Sequence, residues 1–217
     1  LRIPFWTDDL KAGRKAYEKG NYSKALEYFQ RSSEDGNLVA DWYLGHMYRT
    51  GRGVRQDDGR AFDYYTRVVR AYDPQDESDR RLRIMIDADI RLADFYRSGS
   101  ASAGITKNYS RAYDTYLKYA TTYGHPAAFY GLGFMNINGQ GVNRNARQGL
   151  KWMMAGARKR YPPAEAFMGD AYWTGRLVQQ DKTRALMFYI LAAQSATQDE
   201  YPDVFDRLEL MRAATRE

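Results

Sequence analysis

The sequence predicts an all-α protein, a right-handed α-solenoid of stacked antiparallel helix pairs. Two observations lead to this prediction. One pattern of small, aromatic and glycine residues occurs four times along the 217 residues, and apolar residues within each copy recur at helical spacing. Helix pairs of this kind bury their apolar faces by stacking on their neighbours, so each repeat supports the next.

A glycine ends the first helix of each predicted pair. These glycines are 48, 40 and 36 residues apart, and a glycine or alanine precedes each of them by six residues. The first set is Gly51, Gly99, Gly139 and Gly175, and the second is Gly45, Ala93, Gly133 and Gly169. The first set fits the left-handed residue that follows many helices. An interior glycine costs roughly 0.5 to 1 kcal/mol relative to alanine, so the second set indicates that another helix approaches closely there.

A capping residue precedes the second helix of each pair. Asp57, Asn145 and Asp181 follow their glycines by six residues and Asn108 follows by nine. Side chains of Asp and Asn accept hydrogen bonds from the first turn of a helix. Four residues after the caps stand Ala61, Ala112, Gly149 and Ala185, which we expect opposite the small residues of the first helices.

The chain is predicted to form one domain, residues 1–217, capped at both ends. Its parts are an N-terminal hairpin (8–37), four repeats (38–71, 78–123, 126–160 and 163–195) and a C-terminal helix (202–217). The connection before the second repeat holds about eleven additional residues. We expect Ser78 or Asp79 to cap a first helix that is lengthened at its start by some three turns and projects from the array.

Composition excludes several classes of protein. The absence of cysteine excludes disulfide scaffolds, thiolate metal sites and cysteine nucleophiles. No uninterrupted apolar stretch is long enough to span a bilayer, so the chain is not expected to be embedded in a membrane. The net charge of +6 arises from arginines interleaved with acidic residues, which permits an anionic partner without requiring one. The chain begins at Leu1 rather than Met, as expected if a secretory segment has been removed.

The glycine-rich stretch LGFMNINGQGV, residues 132–142, has two interpretations. A phosphate-binding loop would place its glycines between a strand and a helix, but no β-rich run precedes residue 131. The second glycine of Gly139-x-Gly141 recurs only at Gly53, and Ala101 and Leu177 stand there in the other copies. The stretch is therefore interpreted as a helix end and a turn.

The sequence offers little for catalysis, and we expect no enzyme activity, cofactor or metal. His46 and His125 are the only histidines, and they are interpreted as a helix-surface residue and a connector residue. Paired carboxylates such as Asp87 and Asp89 could act in acid–base chemistry, but helix caps and solvated surfaces explain them more simply.

Candidate partner-binding residues lie on the first helices, which line the concave side of stacked helix pairs, away from the packing stripe. They are Asp41, His46 and Arg49 in the first repeat, Asp89 and Arg97 in the second, Asn136 in the third, and Asp170 and Trp173 in the fourth. The predicted projection adds Arg80, Arg81 and Arg83 as a second contact region.

The pattern Ala-x-x-x-Leu-Gly-x-x-Tyr-x-x-Gly-x-Gly-Val-x-x-Asp-x-x-x-Ala, complete at residues 40–61, resembles the Sel1-like repeat, a relative of the tetratricopeptide repeat. The second copy departs from it with Ala93 for glycine, and the third has Asn136 in place of tyrosine. The long connection, the order of the repeats and residues 120–142 are similar to the ExoR proteins of alphaproteobacteria. That resemblance implies a periplasmic regulator of exopolysaccharide synthesis, in an inhibitory complex with the sensor domain of a membrane histidine kinase of a two-component system.

Two other functions stay open. A helical-repeat array can bind RNA, although no basic ladder recurs at equivalent positions and no nucleic acid is expected as the partner. A hydrolase similar to certain Sel1-type enzymes is a third possibility. Assembly with further copies of the same chain is also left open.

Overall fold

The computed structural model describes residues 8–75, 78–198 and 200–215, and these contain eleven α-helices. Their bounds are α1 Asp8–Glu18, α2 Tyr22–Glu34, α3 Leu38–Thr50, α4 Asp58–Arg70, α5 Asp79–Ser98, α6 Tyr109–Tyr123, α7 Pro126–Asn138, α8 Ala146–Arg158, α9 Pro162–Thr174, α10 Lys182–Ser195 and α11 Pro202–Ala214. The described residues contain no β-strand beyond one isolated bridge between Ser100 and Ile105. The all-α prediction is confirmed.

Consecutive helices pack as hairpins inside two compact units, residues 1–112 and 113–217. In the first unit α1 packs on α2 and α3 on α4, and each hairpin contacts the next helix through α2–α3 and α4–α5. In the second unit α7 packs on α8 and α9 on α10, with α8 against α9 and α11 against α10. Each hairpin thus covers the apolar face of its neighbour within its unit.

The predicted capping residues are confirmed. The side-chain oxygens of Asp57, Asn145 and Asp181 each accept a hydrogen bond of 2.9 Å from the backbone three residues ahead. Asn108 accepts an equivalent bond of 3.0 Å from Arg111. Because these bonds satisfy amides that have no partner within the helix, they fix where each second helix begins.

Three of the four turn glycines end their helices in the left-handed conformation: Gly51, Gly139 and Gly175. The prediction is wrong for Gly99, where φ is 68° but ψ is 168°. Its turn is longer, and a short antiparallel bridge between Ser100 and Ile105 closes it. The chain therefore leaves α5 along an extended path that accommodates the additional residues.

Helix α5 is longer than the other first helices, as predicted, and Ser78 is its N-cap. It has 20 residues against 13 in α3, and the seven additional residues precede the part that corresponds to α3. Seven residues form about two helical turns rather than the three expected. Part of the insertion lies in the connection at residues 71–75 instead, and residues 76 and 77 lie outside the described residues.

The interior glycines are packing positions as predicted, but in the first and fourth repeats the group nearest to them is a tyrosine ring rather than a backbone. A β-carbon at Gly45 would lie 2.8 Å from Cε1 of Tyr65, and one at Gly169 would collide with the ring of Tyr189. The third and fourth repeats also bring backbones together as expected: a β-carbon at Gly133 would lie 3.0 Å from the carbonyl oxygen of Gly149, and one at Gly169 would lie 3.3 Å from that of Ala185. The correction has a simple cause, because the third repeat has a methionine where the first and fourth have a tyrosine that fills the gap.

Candidate partner-binding surface

A network of polar side chains joins α3 to α5 in the first unit, with the carboxylate of Asp87 at its centre. One carboxylate oxygen, Oδ2, accepts hydrogen bonds from Trp42 Nε1 at 2.8 Å and from His46 Nε2 at 3.1 Å. The other, Oδ1, accepts from Arg91 at 3.1 Å. The side chains of His46, Asp87 and Arg91 are only 15–18% exposed. Asp87 therefore connects two first helices and does not lie on a solvated surface as predicted.

The hydroxyl of Tyr65 in α4 completes the network, 3.1 Å from His46 Nδ1. Because a carboxylate only accepts hydrogen bonds, the proton of a neutral His46 lies on Nε2, and Nδ1 accepts from Tyr65. Burial lowers the pKa of His46 more than Asp87 raises it, so the imidazole is neutral near pH 7. The prediction that His46 is a helix-surface residue is wrong, since it is enclosed by three helices.

Burial and nearby charges together decide the ionisation of Asp87 and Tyr65 in this network. Burial alone would raise the pKa of Asp87, but Arg91 and the hydrogen bonds from His46 and Trp42 outweigh it, so its pKa lies well below the ordinary value. Burial raises the pKa of Tyr65 well above that of a free phenol. Tyr65 thus stays neutral and Asp87 stays charged.

Tyr65, His46 and Asp87 are linked by hydrogen bonds in the order found in proton relays that activate a nucleophile, yet this arrangement does not suit catalysis. The side chain of Tyr65 is fully buried, and its raised pKa disfavours the phenolate. A substrate has no access to the hydroxyl without displacing α3. The network therefore holds helices in place and presents only its outer edge to a partner.

Two of the predicted partner-binding residues are buried, which corrects the expectation that they face a partner. Asp41 is 4% exposed, and its carboxylate accepts hydrogen bonds from Ser33 and, at 3.5 Å, from Arg67. Burial raises its pKa. Asn136 is 6% exposed and donates to the carbonyl of Leu132 at 2.8 Å, within its own helix. Asp41 thus bonds to side chains of α2 and α4, whereas the side chain of Asn136 bonds within its own helix.

The remaining predicted residues of the first unit lie on α3 and α5. Arg49 lies beside His46 and Tyr65, where its charge acts on both side chains. Asp89 and Arg97 are half-buried along α5. At the start of α5, Arg80 and Arg83 are exposed and Arg81 is half-buried. This end of the helix is the most exposed cationic part of the predicted set.

The second unit contains a cleft of about 860 Å³ lined by α7, α9, α11 and the turns that follow α7 and α9. Asp170, a predicted residue, lies in it, and its Oδ1 accepts from Arg207 Nε at 3.2 Å. Trp173, also predicted, lies about one helical turn after Asp170 and is half-buried, with Lys182 Nζ 5.3 Å from the centre of its ring.

Sequence reasoning missed Trp42, Tyr65, Arg91 and Arg207 as parts of these surfaces. Only the spacing of Asp87 and Arg91, four residues apart on one helix, was a visible signal of an ion pair. His46 and Asp87 are 41 residues apart, so nothing short of the packing of α3 on α5 reveals their contact.

Hairpins with capped turns, a polar network between two first helices and an open cleft define a helical-repeat protein built from stacked α-hairpins. The family model of the Sel1 repeat matches residues 12–37, 38–68, 86–117, 126–159 and 162–196, and the chain belongs to the Sel1 repeat family.

Two curated relatives extend the comparison. The chain is 32% identical to an exopolysaccharide production negative regulator of Rhizobium leguminosarum bv. viciae over 75% of this chain and 60% of that protein. It is 28% identical to a regulator of the same name from Rhizobium meliloti (strain 1021), over 85% of this chain and 66% of that protein. The chain thus spans about two thirds or less of the length of these relatives. Both resemblances inferred from the sequence are confirmed.

Solved structures agree with the fold. The crystal structure of a Sel1 repeat protein from Oxalobacter formigenes matches with a TM-score of 0.60 and 25% identity, over 88% of this chain and 74% of that one. Within the described residues, no helix combines the length and apolar character needed to cross a membrane. That part of the chain also lacks a group of three or more acidic or histidine side chains suited to hold a metal ion.

Proposed function

We propose that this protein is a non-enzymatic negative regulator that acts in the periplasm and binds the sensor domain of a membrane histidine kinase controlling exopolysaccharide production. The observation that carries the proposal is the similarity to two exopolysaccharide production negative regulators over three quarters or more of the chain. Sel1 repeats supply the means, since stacked hairpins offer long surfaces to a polypeptide.

The exposed start of α5 is a contact region that suits this function. Arg80 and Arg83 lie on its solvent side in the additional turns that α3 lacks. The helix is anchored below by Met85 and Ile86, which are buried. A rigid cationic helix end can bind an acidic surface of a sensor domain with little loss of conformational freedom.

Binding to the purified sensor domain tests the function. We expect calorimetry to detect a complex with the wild-type chain, and we expect a weaker complex for the double variant Arg80→Glu, Arg83→Glu. The double variant Lys11→Glu, Lys15→Glu on α1 is the matched control, because it changes the same charge at exposed residues of the same unit. Absence of a wild-type complex at physiological salt would contradict the proposal.

Two cell experiments address regulation and location. Deletion of the gene is expected to increase exopolysaccharide, and complementation is expected to restore the original level. Fractionation of cells that produce the full-length protein is expected to place it in the periplasm. Tight binding of RNA that persists at physiological salt, without a protein complex, would instead support the nucleic-acid alternative.

A further inference from the structure

The cleft of the second unit combines an apolar floor with a cationic rim. Phe134 of α7 and Phe167 of α9 form part of its lining, and both rings are half-buried against the apolar cluster that holds α7, α8 and α9 together. A volume of about 860 Å³ lies in the range of ligand-binding clefts in proteins.

The rim carries three arginines and one acid, a balance of three positive charges against one negative charge. Arg207 is paired with Asp170 at 3.2 Å. Arg144 donates from Nε to the carbonyl of Ile137 at 3.0 Å, which fixes the guanidinium at the rim without neutralising it. Among the residues that the structure describes, neither Arg144 nor Arg176 forms an ion pair with a carboxylate.

Leu177 lines the cleft, and its backbone has a positive φ that is unfavourable for leucine. Its φ is 72°, close to the 70° of Gly53 and Gly141 at the equivalent turn positions. A side chain in this region is strained, and such strain persists where the residue has another role. Leu177 is 39% exposed and lines the cleft, so it adds an apolar contact to the rim that the glycines of other repeats lack.

We propose that this cleft binds an extended acidic segment of a protein partner, in which an apolar side chain contacts Phe134 and Phe167 and neighbouring carboxylates contact Arg144 and Arg176. The proposal rests on the proposed function as a protein-binding regulator and adds the chemistry of the partner. Arginine binds carboxylates through paired hydrogen bonds, and the unpaired charges of the rim favour an anion. RNA fits less well, because the basic residues of the chain are interleaved with acidic ones and form no ladder at equivalent repeat positions.

Fluorescence anisotropy with labelled peptides tests the cleft. The probe is a short peptide of alternating Glu and Leu, compared with a peptide that has Lys in place of Glu and with an oligouridine RNA. We expect the wild-type chain to bind the acidic peptide and to bind it more weakly as salt increases. Equal binding of both peptides, or preference for the RNA, would overturn the proposal.

Variants then locate the binding. The double variant Arg144→Gln, Arg176→Gln is expected to bind the acidic peptide about tenfold more weakly, whereas Arg158→Gln, an exposed arginine of α8 outside the cleft, is expected to bind as the wild type does. Leu177→Gly removes the apolar contact while suiting the backbone, and it too is expected to weaken binding. Unchanged affinity in both cleft variants would refute the site, with circular dichroism and thermal unfolding showing that each variant is folded.

The same proteins separate this proposal from the proposed function. If the wild-type chain binds the sensor domain but not the acidic peptide, the cleft proposal fails and the function stands. If it binds the acidic peptide through the cleft but not the sensor domain, the function fails and the cleft proposal stands.

Discussion

The ring of Tyr65 in α4 covers Gly45 in α3 so closely that a β-carbon at residue 45 would lie 2.8 Å from ring carbon Cε1. The same ring carries the hydroxyl that reaches His46 Nδ1. One contact therefore fixes both the spacing of a hairpin and the position of the histidine in the polar network. The absence of a side chain at residue 45 thus lets Tyr65 reach His46, which in turn bonds to Asp87 of α5.

Replacement of this glycine should destabilise the protein. We expect Gly45→Ala to lower the free energy of unfolding by about 1–2 kcal/mol, because overpacking a buried ring outweighs the gain in helix propensity. Gly59→Ala is the control, since a β-carbon there meets only ordinary contacts at 3.4 Å or more. Urea unfolding measures both, and a Gly45→Ala variant as stable as the wild type would show that the ring shifts freely.

Removal of the charge on Asp87 should also destabilise the first unit. Asp87→Asn removes the carboxylate closest to the buried guanidinium of Arg91. Breaking a buried pair completely costs about 3–5 kcal/mol, and because Asp94 stays 3.3 Å from Arg91 we expect a smaller loss of about 2–4 kcal/mol. The exposed pair formed by Asp57 and Arg60 offers a control, because Asp57→Asn retains a capping side chain and loses only a weak surface contact. Equal losses in the two variants would mean that the network contributes little.

Stability should fall as the pH falls below about 6.5, the ordinary pKa of histidine. The folded-state pKa of His46 is lowered, so the folded protein favours the neutral imidazole and loses stability once the unfolded chain takes up the proton. The loss can reach at most about 1.4 kcal/mol per pH unit for one group. Asp87, whose pKa is also lowered, adds a further loss below about pH 4.

Unfolding by urea at pH 7.5 and pH 5.5 measures this dependence. His46→Gln should reduce the difference between the two conditions, whereas His125→Gln, which changes the only other histidine, should retain it. A difference that is the same in wild type and His46→Gln would assign it to other groups.

Because the backbone of Leu177 is strained, replacing this residue should stabilise the protein, unlike the replacements of Gly45 and Asp87. Leu177→Gly should raise the free energy of unfolding by about 0.5–1 kcal/mol, since glycine relieves a positive φ whose cost exceeds the entropy that glycine loses. Leu210→Gly replaces another exposed leucine but lies within α11, where glycine should cost about 1 kcal/mol. Thermal unfolding compares them, and destabilisation by both would show that Leu177 contributes more packing than strain.

The ion pair between Arg160 and Glu165 leads us to expect that a variant lacking Arg160 regains stability at low pH. Glu165 is fully buried, its Oε1 accepts from Arg160 at 2.7 Å, and its other oxygen has no hydrogen-bond partner among the described residues. Arg160→Gly suits the φ of 60° at that residue but leaves the carboxylate unpaired, so a net loss of about 2 kcal/mol is expected near neutral pH.

Burial raises the pKa of Glu165, so its contribution to stability is greatest below its ordinary pKa and declines as the pH rises through the folded-state value. Without Arg160, the loss in the free energy of unfolding as the pH rises should be larger. Unfolding of the variant at two pH values, with Glu165→Gln added as the control that cannot ionise, distinguishes this from general damage.

Periodic features were readable from the sequence because they depend on a few residues close together in the chain. Asp57, Asn145 and Asp181 cap helices through bonds only three residues long, and Gly139 ends α7 by a backbone preference of its own. The fold class and the hairpin order follow from repeating such local signals. The resemblance to exopolysaccharide regulators depended on the long connection, the order of the repeats and residues 120–142.

Tertiary structure decided which side chains are accessible and which meet. The sequence predicted Asp41 and Asn136 to be exposed on their helices, yet both are buried in the fold. The contact of His46 with Asp87, and that of Asp170 with Arg207, join residues 41 and 37 positions apart. Local sequence therefore determined the helices and their ends, whereas the polar network and the cationic cleft arose only when packing brought distant side chains within hydrogen-bonding distance.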